Sequence, residues 1–216
     1  MKTHTSAVLL LSIALVSLFA AEPTEPSVSP DAALAKLNEG NKRFLDAKVS
    51  AGKPNAERRA ATAKGQHPFA IIIGCADSRT PPEIIFDQNI GDLFVERTAG
   101  NVVDDYLLGG IEYAVEHLGS RLIVVLGHQR CGAVQAALES DTAPGHISAL
   151  VRDIQPAVQA SKGKPGDPLA NAVHENAMEM ADKIRKNIDV GELASQVKVV
   201  SGYYSLDTGK VEWDKN

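Results

Sequence analysis

Two rhythms of apolar residues run along this 216-residue chain. The first is the short continuous run. Phe69–Gly74 carries no polar side chain, and Arg121–Leu126 and Val197–Tyr204 are largely apolar, which predicts strands buried on both faces of a parallel sheet. Asp92–Glu96 reads as a shorter strand. The second rhythm has helical spacing. Leu34, Leu37 and Phe44 predict a helix from Ala32 to about Ala47, entered through Ser29-Pro30-Asp31, with a capping serine, a proline at the first helical position and an acid near the positive end of the dipole. Gly40 is a weak point within it. Leu107, Leu108, Ile111, Tyr113, Ala114 and Leu118 predict a long helix capped by Asp104 and ended at Gly119. Val173, Ala177, Met180 and Ile184 predict another over Leu169–Asn187, set off by the breaker Gly163–Pro168. Shorter helices are expected at Ala56–Lys64, Pro81–Phe86, Cys131–Leu138 and Ile147–Ala160. Leu206–Gly209 reads as a turn into a last strand, Lys210–Trp213. Strands alternating with helices predict an α/β fold, a mainly parallel β-sheet of four to five strands flanked by helices, with the final hairpin adding an antiparallel edge.

The amino terminus follows neither rhythm. Lys2 precedes an uncharged apolar stretch, Ala7–Ala20, closed by the small residues Ala20 and Ala21, which reads as a secretory signal peptide over residues 1–21. The run is short for a membrane span, so no stable span is expected after cleavage. The Pro/Ser/Glu-rich stretch 22–29 reads as a flexible leader and residues 30–216 as a single domain. Export implies a periplasmic or secreted protein. The net charge of −5, without a basic block, argues against nucleic acid or an anionic membrane as partner.

The chain has two cysteines, and each follows one of the apolar runs. Neighbouring strand ends of a parallel sheet are where side chains from distant sequence meet. Cys75, His128 and Cys131 meeting there would offer zinc two thiolates and an imidazole, leaving a fourth position open. A zinc so held lowers the pKa of water to about 7 and activates it towards small electrophiles. Asp77 is close enough in sequence to reach that position, and Arg79 can hold the same carboxylate as a bidentate pair. The spacing alone also fits an ordinary loop ion pair. The N–H of Gly132, at a helix start, is placed to stabilise a product oxyanion. In an oxidising compartment the two cysteines could instead form a disulfide, although that leaves His128 unexplained.

Cys75-Ala-Asp77-Ser-Arg79, Phe94-Val-Glu-Arg97-Thr-Ala-Gly-Asn101, Gly109-Gly-Ile-Glu-Tyr113-Ala and Gly127-His128-Gln-Arg-Cys131-Gly132 together resemble the β-class carbonic anhydrases. The resemblance runs from about Leu34 to Trp213 and takes in Gly40-Asn41-Lys-Arg-Phe44 and Thr208-Gly-Lys-Val211. It implies zinc-dependent reversible hydration of carbon dioxide to bicarbonate and a proton, with Cys75, His128 and Cys131 as ligands of one Zn2+ per chain and Asp77 with Arg79 as the catalytic dyad. It implies that Gln66, Phe94 and Tyr113 contact substrate across a homodimer or a dimer of dimers. Ile72 stands where the bicarbonate-regulated type has tryptophan, which implies the non-allosteric, plant-like type. Ala76 and Ala99 depart from the usual residues without removing a ligand. Two other functions fit the same residues: a carbon disulfide or carbonyl sulfide hydrolase on this scaffold, and a non-catalytic zinc-binding module. His67, His117, His146 and His174 lack a partner at ligand spacing and read as surface or capping residues. Gly109 and Gly110 do not make a dinucleotide fingerprint.

Overall fold

A computed structural model describes residues 28–49 and 56–215. The stretch read as a signal peptide, most of the one read as a leader, and residue 216 lie outside the described residues. The strands are β1 (Ala70–Cys75), β2 (Leu93–Thr98), β3 (Leu122–His128), β4 (Lys198–Tyr204) and β5 (Val211–Trp213). Among the described residues they form one five-stranded sheet in the order β2-β1-β3-β4-β5, with β5 antiparallel and every other pairing parallel. The helices are α1 (Pro30–Leu45), α2 (Ala56–Thr62), α3 (Pro82–Ile85), α4 (Asp105–Leu118), α5 (Gly132–Glu139), α6 (Ile147–Ser161) and α7 (Pro168–Asn187). Among the described residues no helix is long and apolar enough to cross a membrane.

The continuous apolar runs are explained by burial on both sides: every residue of β1 and of β3 is buried. Because successive side chains alternate, Ile71, Ile73, Ile123 and Val125 pack on one face against α4 and α7. Ile72, Leu122 and Val124 pack on the other against Ala33 and Leu37 of α1 and against Ile85 and Phe86. A third cluster, from α5, α6 and α7, sits over the carboxyl ends of the strands and includes both cysteines.

The caps form as read. The Ser29 side chain accepts from the N–H of Ala32 at 3.3 Å, the Asp104 carboxylate accepts from the N–H of Leu107 at 3.0 Å, and Gly119 closes α4 at φ 75°. Gly40 is not a weak point. A Cβ there would lie 1.7 Å from the Phe86 carbonyl oxygen, so glycine is what lets α1 seat against the end of α3. Beside it Asn41, almost fully buried, donates to the carbonyls of Ile85 (3.2 Å) and Gly209 (2.9 Å) and accepts from the N–H of Val211 (3.0 Å). One side chain thereby joins α1 to the β4–β5 turn. Trp213 packs as expected for a strand end, stacked 6.3 Å from Phe86.

Candidate metal centre

The strand order creates a crevice. The chain leaves β1 towards β2 on one side and leaves β3 towards β4 on the other, so the carboxyl ends of β1 and β3 flank a topological switch point, where open α/β sheets bind their ligands. Cys75 is the last residue of β1, His128 the last of β3, and Cys131 the N-cap of α5. Between His128 and Cys131 the chain turns through Arg130 at φ 56°, a left-handed conformation that costs a non-glycine residue about 1–2 kcal/mol.

The ligating atoms of Cys75, His128 and Cys131 all lie within 4.8 Å of one another, and all three residues are buried. The cysteines are free thiols, which removes the disulfide alternative. His128 Nδ1 lies 2.9 Å from the Gln129 carbonyl oxygen. A carbonyl only accepts, so the ring proton sits on Nδ1 and Nε2 presents a bare lone pair. That Nε2 is buried without a hydrogen-bond partner. The sulfurs are prepared for negative charge. The N–H of Gly100 donates to Cys75 Sγ at 3.3 Å, and the N–H groups of Ala133 and Val134, in the first turn of α5, face the Cys131 sulfur. Left to themselves, the two sulfurs share one proton. The hydrogen bond from Cys131 is the main cause that pulls the Cys75 thiol down to about 4, and the same bond, then burial, pushes Cys131 up. Two sulfurs and a bare imidazole nitrogen, all shielded from water, fit a soft divalent cation such as zinc.

Asp77 lies beside this group and is turned towards Arg79. The Arg79 guanidinium donates to both carboxylate oxygens, Nε to Oδ1 at 2.9 Å and Nη2 to Oδ2 at 2.7 Å, and the Arg79 backbone N–H adds a bond to Oδ1 at 2.9 Å. These bonds hold the Asp77 carboxyl well below the usual carboxylate range. Oδ2 is 3.9 Å from His128 Nε2, so the carboxylate borders the ligand cluster. The loop is itself clamped: Arg97 donates to the carbonyls of Cys75 (2.8 Å) and Asp77 (2.5 Å), and the Thr80 hydroxyl donates to the Asp77 carbonyl at 3.0 Å.

The remaining residues singled out in the sequence lie elsewhere. Gln66 is exposed, before the amino end of β1, in a cleft of about 430 Å³ that it shares with Lys36, Arg58 and His67. The five rises of β1, at about 3.3 Å each, set Ala70 about 17 Å from Cys75, and Gln66 lies before that far end. Phe94 pairs in register with Ile71, four residues short of the Cys75–Thr98 pair, and its ring faces Tyr113 at 6.4 Å. Phe94 and Tyr113 are therefore brought together but kept apart from their own cluster. Gly132 opens α5 next to Cys131, with open space where a Cβ would point. His174 is more than a surface residue, pairing with Asp214 at 2.6 Å and stacking on Tyr203.

Sequence reasoning missed the support behind Cys75. Gly100, at φ 72°, brings its N–H to the sulfur, and a Cβ there would lie 2.8 Å from Ile154 Cδ1. Its carbonyl accepts from Nδ2 of the buried Asn176 at 2.8 Å. A glycine inside Arg97–Asn101 is the one local sign of this; Asn176 gives none, because its partner is 76 residues away.

Comparison with known proteins agrees with this architecture. Residues 70–211 match the family model described as carbonic anhydrase. The chain is 42% identical over 196 residues to carbonic anhydrase 2 of Mycobacterium tuberculosis, covering 86% of this chain and 93% of that one. It is 38% identical to the carbonic anhydrase of Mycolicibacterium smegmatis, with 87% and 94% covered. Among solved structures, the Coccomyxa β-carbonic anhydrase in complex with acetazolamide superposes with a TM-score of 0.67 at 28% identity, over 83% of this chain and 85% of that one. With its ligand-type cluster at the switch point of a sheet of this order, the chain belongs to the carbonic anhydrase family, in its β class.

Proposed function

We propose that Cys75, His128 and Cys131 hold one zinc ion per chain and that the protein uses it to interconvert carbon dioxide with bicarbonate and a proton. The observation that carries this reading is the buried, unpartnered Nε2 of His128 facing two free thiols within 4.8 Å. When bound in such a site, zinc supplies a Lewis acid with an open position, which makes water nucleophilic near neutral pH. The protein's own groups do the rest. Asp77, ionised by its fork to Arg79, can only accept hydrogen bonds, so its carboxylate orients a donor hydroxyl and does not give it a proton. Arg79 also keeps that carboxylate from closing onto the cation, which supports the open, non-allosteric type. Arg97 and Thr80 fix the loop that presents both Cys75 and Asp77. Gly132, with no side chain, leaves room beside Cys131 for a small anion to reach the amides of α5.

The working unit in this reading is a homodimer, or a dimer of dimers. Gln66, Phe94 and Tyr113 lie too far from their own cluster to serve it, and β2 is an edge strand with its outer side unpaired among the described residues. Tyr106 and Tyr113 on α4 are exposed, and Tyr113 lies against Phe94 of that strand. Export to the periplasm or beyond is supported by Lys2 followed by the uncharged run Ala7–Ala20; amino-terminal sequencing of the protein recovered from cell fractions tests it.

The deciding experiment is stopped-flow carbon dioxide hydration with metal content determined on the same sample. Fast hydration with about one zinc per chain is expected. Zinc without hydration from neutral to alkaline pH, or sulfide release from carbonyl sulfide in its place, would overturn the proposed reaction. Absence of zinc would overturn the ligand assignment.

A further inference from the structure

His128 owes its tautomer to the Gln129 carbonyl, so whatever fixes Gln129 fixes the ring nitrogen that faces the sulfurs. Gln129 is tied to the end of β4 and the β4–β5 turn by four hydrogen bonds, one of them from the Ser205 hydroxyl to its Oε1 at 3.4 Å. Its N–H donates to the Tyr204 carbonyl at 2.9 Å. Its Nε2 donates to Asp207 Oδ2 at 2.8 Å, and its Oε1 accepts from the Asp207 N–H at 3.0 Å. Arg130, the residue in the left-handed conformation, closes a fork on the same carboxylate, Nη1 to Oδ2 at 3.0 Å and Nη2 to Oδ1 at 2.7 Å. Asp207 thus meets both residues that separate His128 from Cys131. The turn that carries it is anchored in turn, since Asn41 of α1 bonds the backbone of Gly209 and Val211.

We infer that Asp207 is a positioning residue for the metal centre: it locks the His128–Cys131 loop in the geometry that directs Nε2 and Sγ at one cation. The inference rests on the assignment of Cys75, His128 and Cys131 as ligands. The Arg130 and Asp207 side chains are 52% and 58% exposed, and an ion pair that open adds little to folding stability. Its effect belongs instead to the loop. Left-handed Arg130 is a conformation that relaxes readily once its fork is cut, and the fork and the Gln129 Nε2 bond share one acceptor, the Asp207 carboxylate.

The test is zinc affinity of the full chain, measured by competition with a chromophoric chelator at fixed pH, for wild type, Asp207→Ala, Asp207→Glu and Gln129→Ala. Loss of a group that orients a ligand typically costs about 10–100-fold in metal affinity, and a fall of that size is expected for Asp207→Ala. Partial recovery is expected in Asp207→Glu and a smaller fall in Gln129→Ala. In the cobalt-substituted proteins the visible and thiolate charge-transfer bands should shift, while the urea midpoint of the metal-free protein stays near wild type. Zinc affinities within twofold of wild type for both Asp207→Ala and Gln129→Ala would overturn the inference. So would a metal-free midpoint that falls in step with affinity, which marks a merely structural role. If Asp207→Ala does not fold, Gln129→Ala decides alone. A wild-type chain that binds no zinc would instead overturn the ligand assignment, and this inference with it.

Discussion

Replacing Glu96 by glutamine should stabilise the protein, and only above mildly acidic pH. Glu96 lies on β2 with its side chain pressed against α4 where Gly110 has none: a Cβ at Gly110 would sit 1.7 Å from Oε1. That oxygen is buried without a hydrogen-bond partner. Burial, then the nearby charge of Asp104, pushes the carboxyl from its ordinary 4.5 up to about 6. A carboxyl raised in the folded state binds its proton more tightly there than in the unfolded chain. Stability therefore falls as pH rises from about 4.5 through about 6, and the loss is complete above that window. At 1.36 kcal/mol per pH unit the gap would reach about 2 kcal/mol for a fully shielded carboxyl; Glu96 is part-buried, and solvent screening brings this to about 1 kcal/mol. Glutamine has the same size and no charge, so Glu96→Gln should match wild type at pH 4.5 and exceed it by about 1 kcal/mol at pH 7.5. Urea unfolding of both proteins at several pH values, at fixed protein concentration, ionic strength and zinc, measures the difference directly. Other titrating groups, metal ligands included, are common to both chains and cancel. Parallel stability curves, offset or coincident, would refute the reasoning, because a solvated Glu96 gives no pH-dependent gap; so would a gap of opposite sign, the mark of a partnered carboxylate.

Asn41→Ala should lower unfolding free energy by about 3 kcal/mol in the same assay, since it strands two carbonyls and one N–H in the interior. Gly100→Ala should cost about 2 kcal/mol and weaken zinc binding, because φ 72° and the contact with Ile154 both oppose a Cβ while the N–H serves Cys75; calorimetry and chelator competition check the two effects. Cys75→Ser should lose zinc, read by metal analysis. Asp77→Asn should keep zinc and lose most hydration activity by stopped flow; full retention of rate would remove Asp77 from the mechanism.

The core was legible because its strands are buried on both faces, which forces runs such as Phe69–Gly74 to be apolar throughout. Edge strand β2 shows the limit: Glu96 and Arg97 break its pattern, and it extends to Thr98, beyond the expected Glu96. The metal-type residues were legible for a related reason. A switch point draws them from two strand ends, so they fall in two compact motifs. Of their support only Gly100 leaves a local sign; Asn176 and Asp207 act through folded-chain contacts that leave no spacing in the sequence. Gly40 makes the same point in reverse. Helix propensity marks it as a defect, and only the approach of the Phe86 carbonyl shows why no other residue fits.

The strands that end in Cys75 and His128 are also the two that are buried along their whole length. Segments that open by local fluctuation come from the exposed, sparsely packed parts of a fold, and central strands open only when the whole structure does. Neither residue can swing out by fraying of its strand. An ion held between them would leave instead through the movable side of the site, the open coordination position and the loop that carries Cys131. Exchange with isotopically labelled zinc would then outpace the slowest backbone amides of β1 and β3, and would quicken in Asp207→Ala, where that loop is no longer locked.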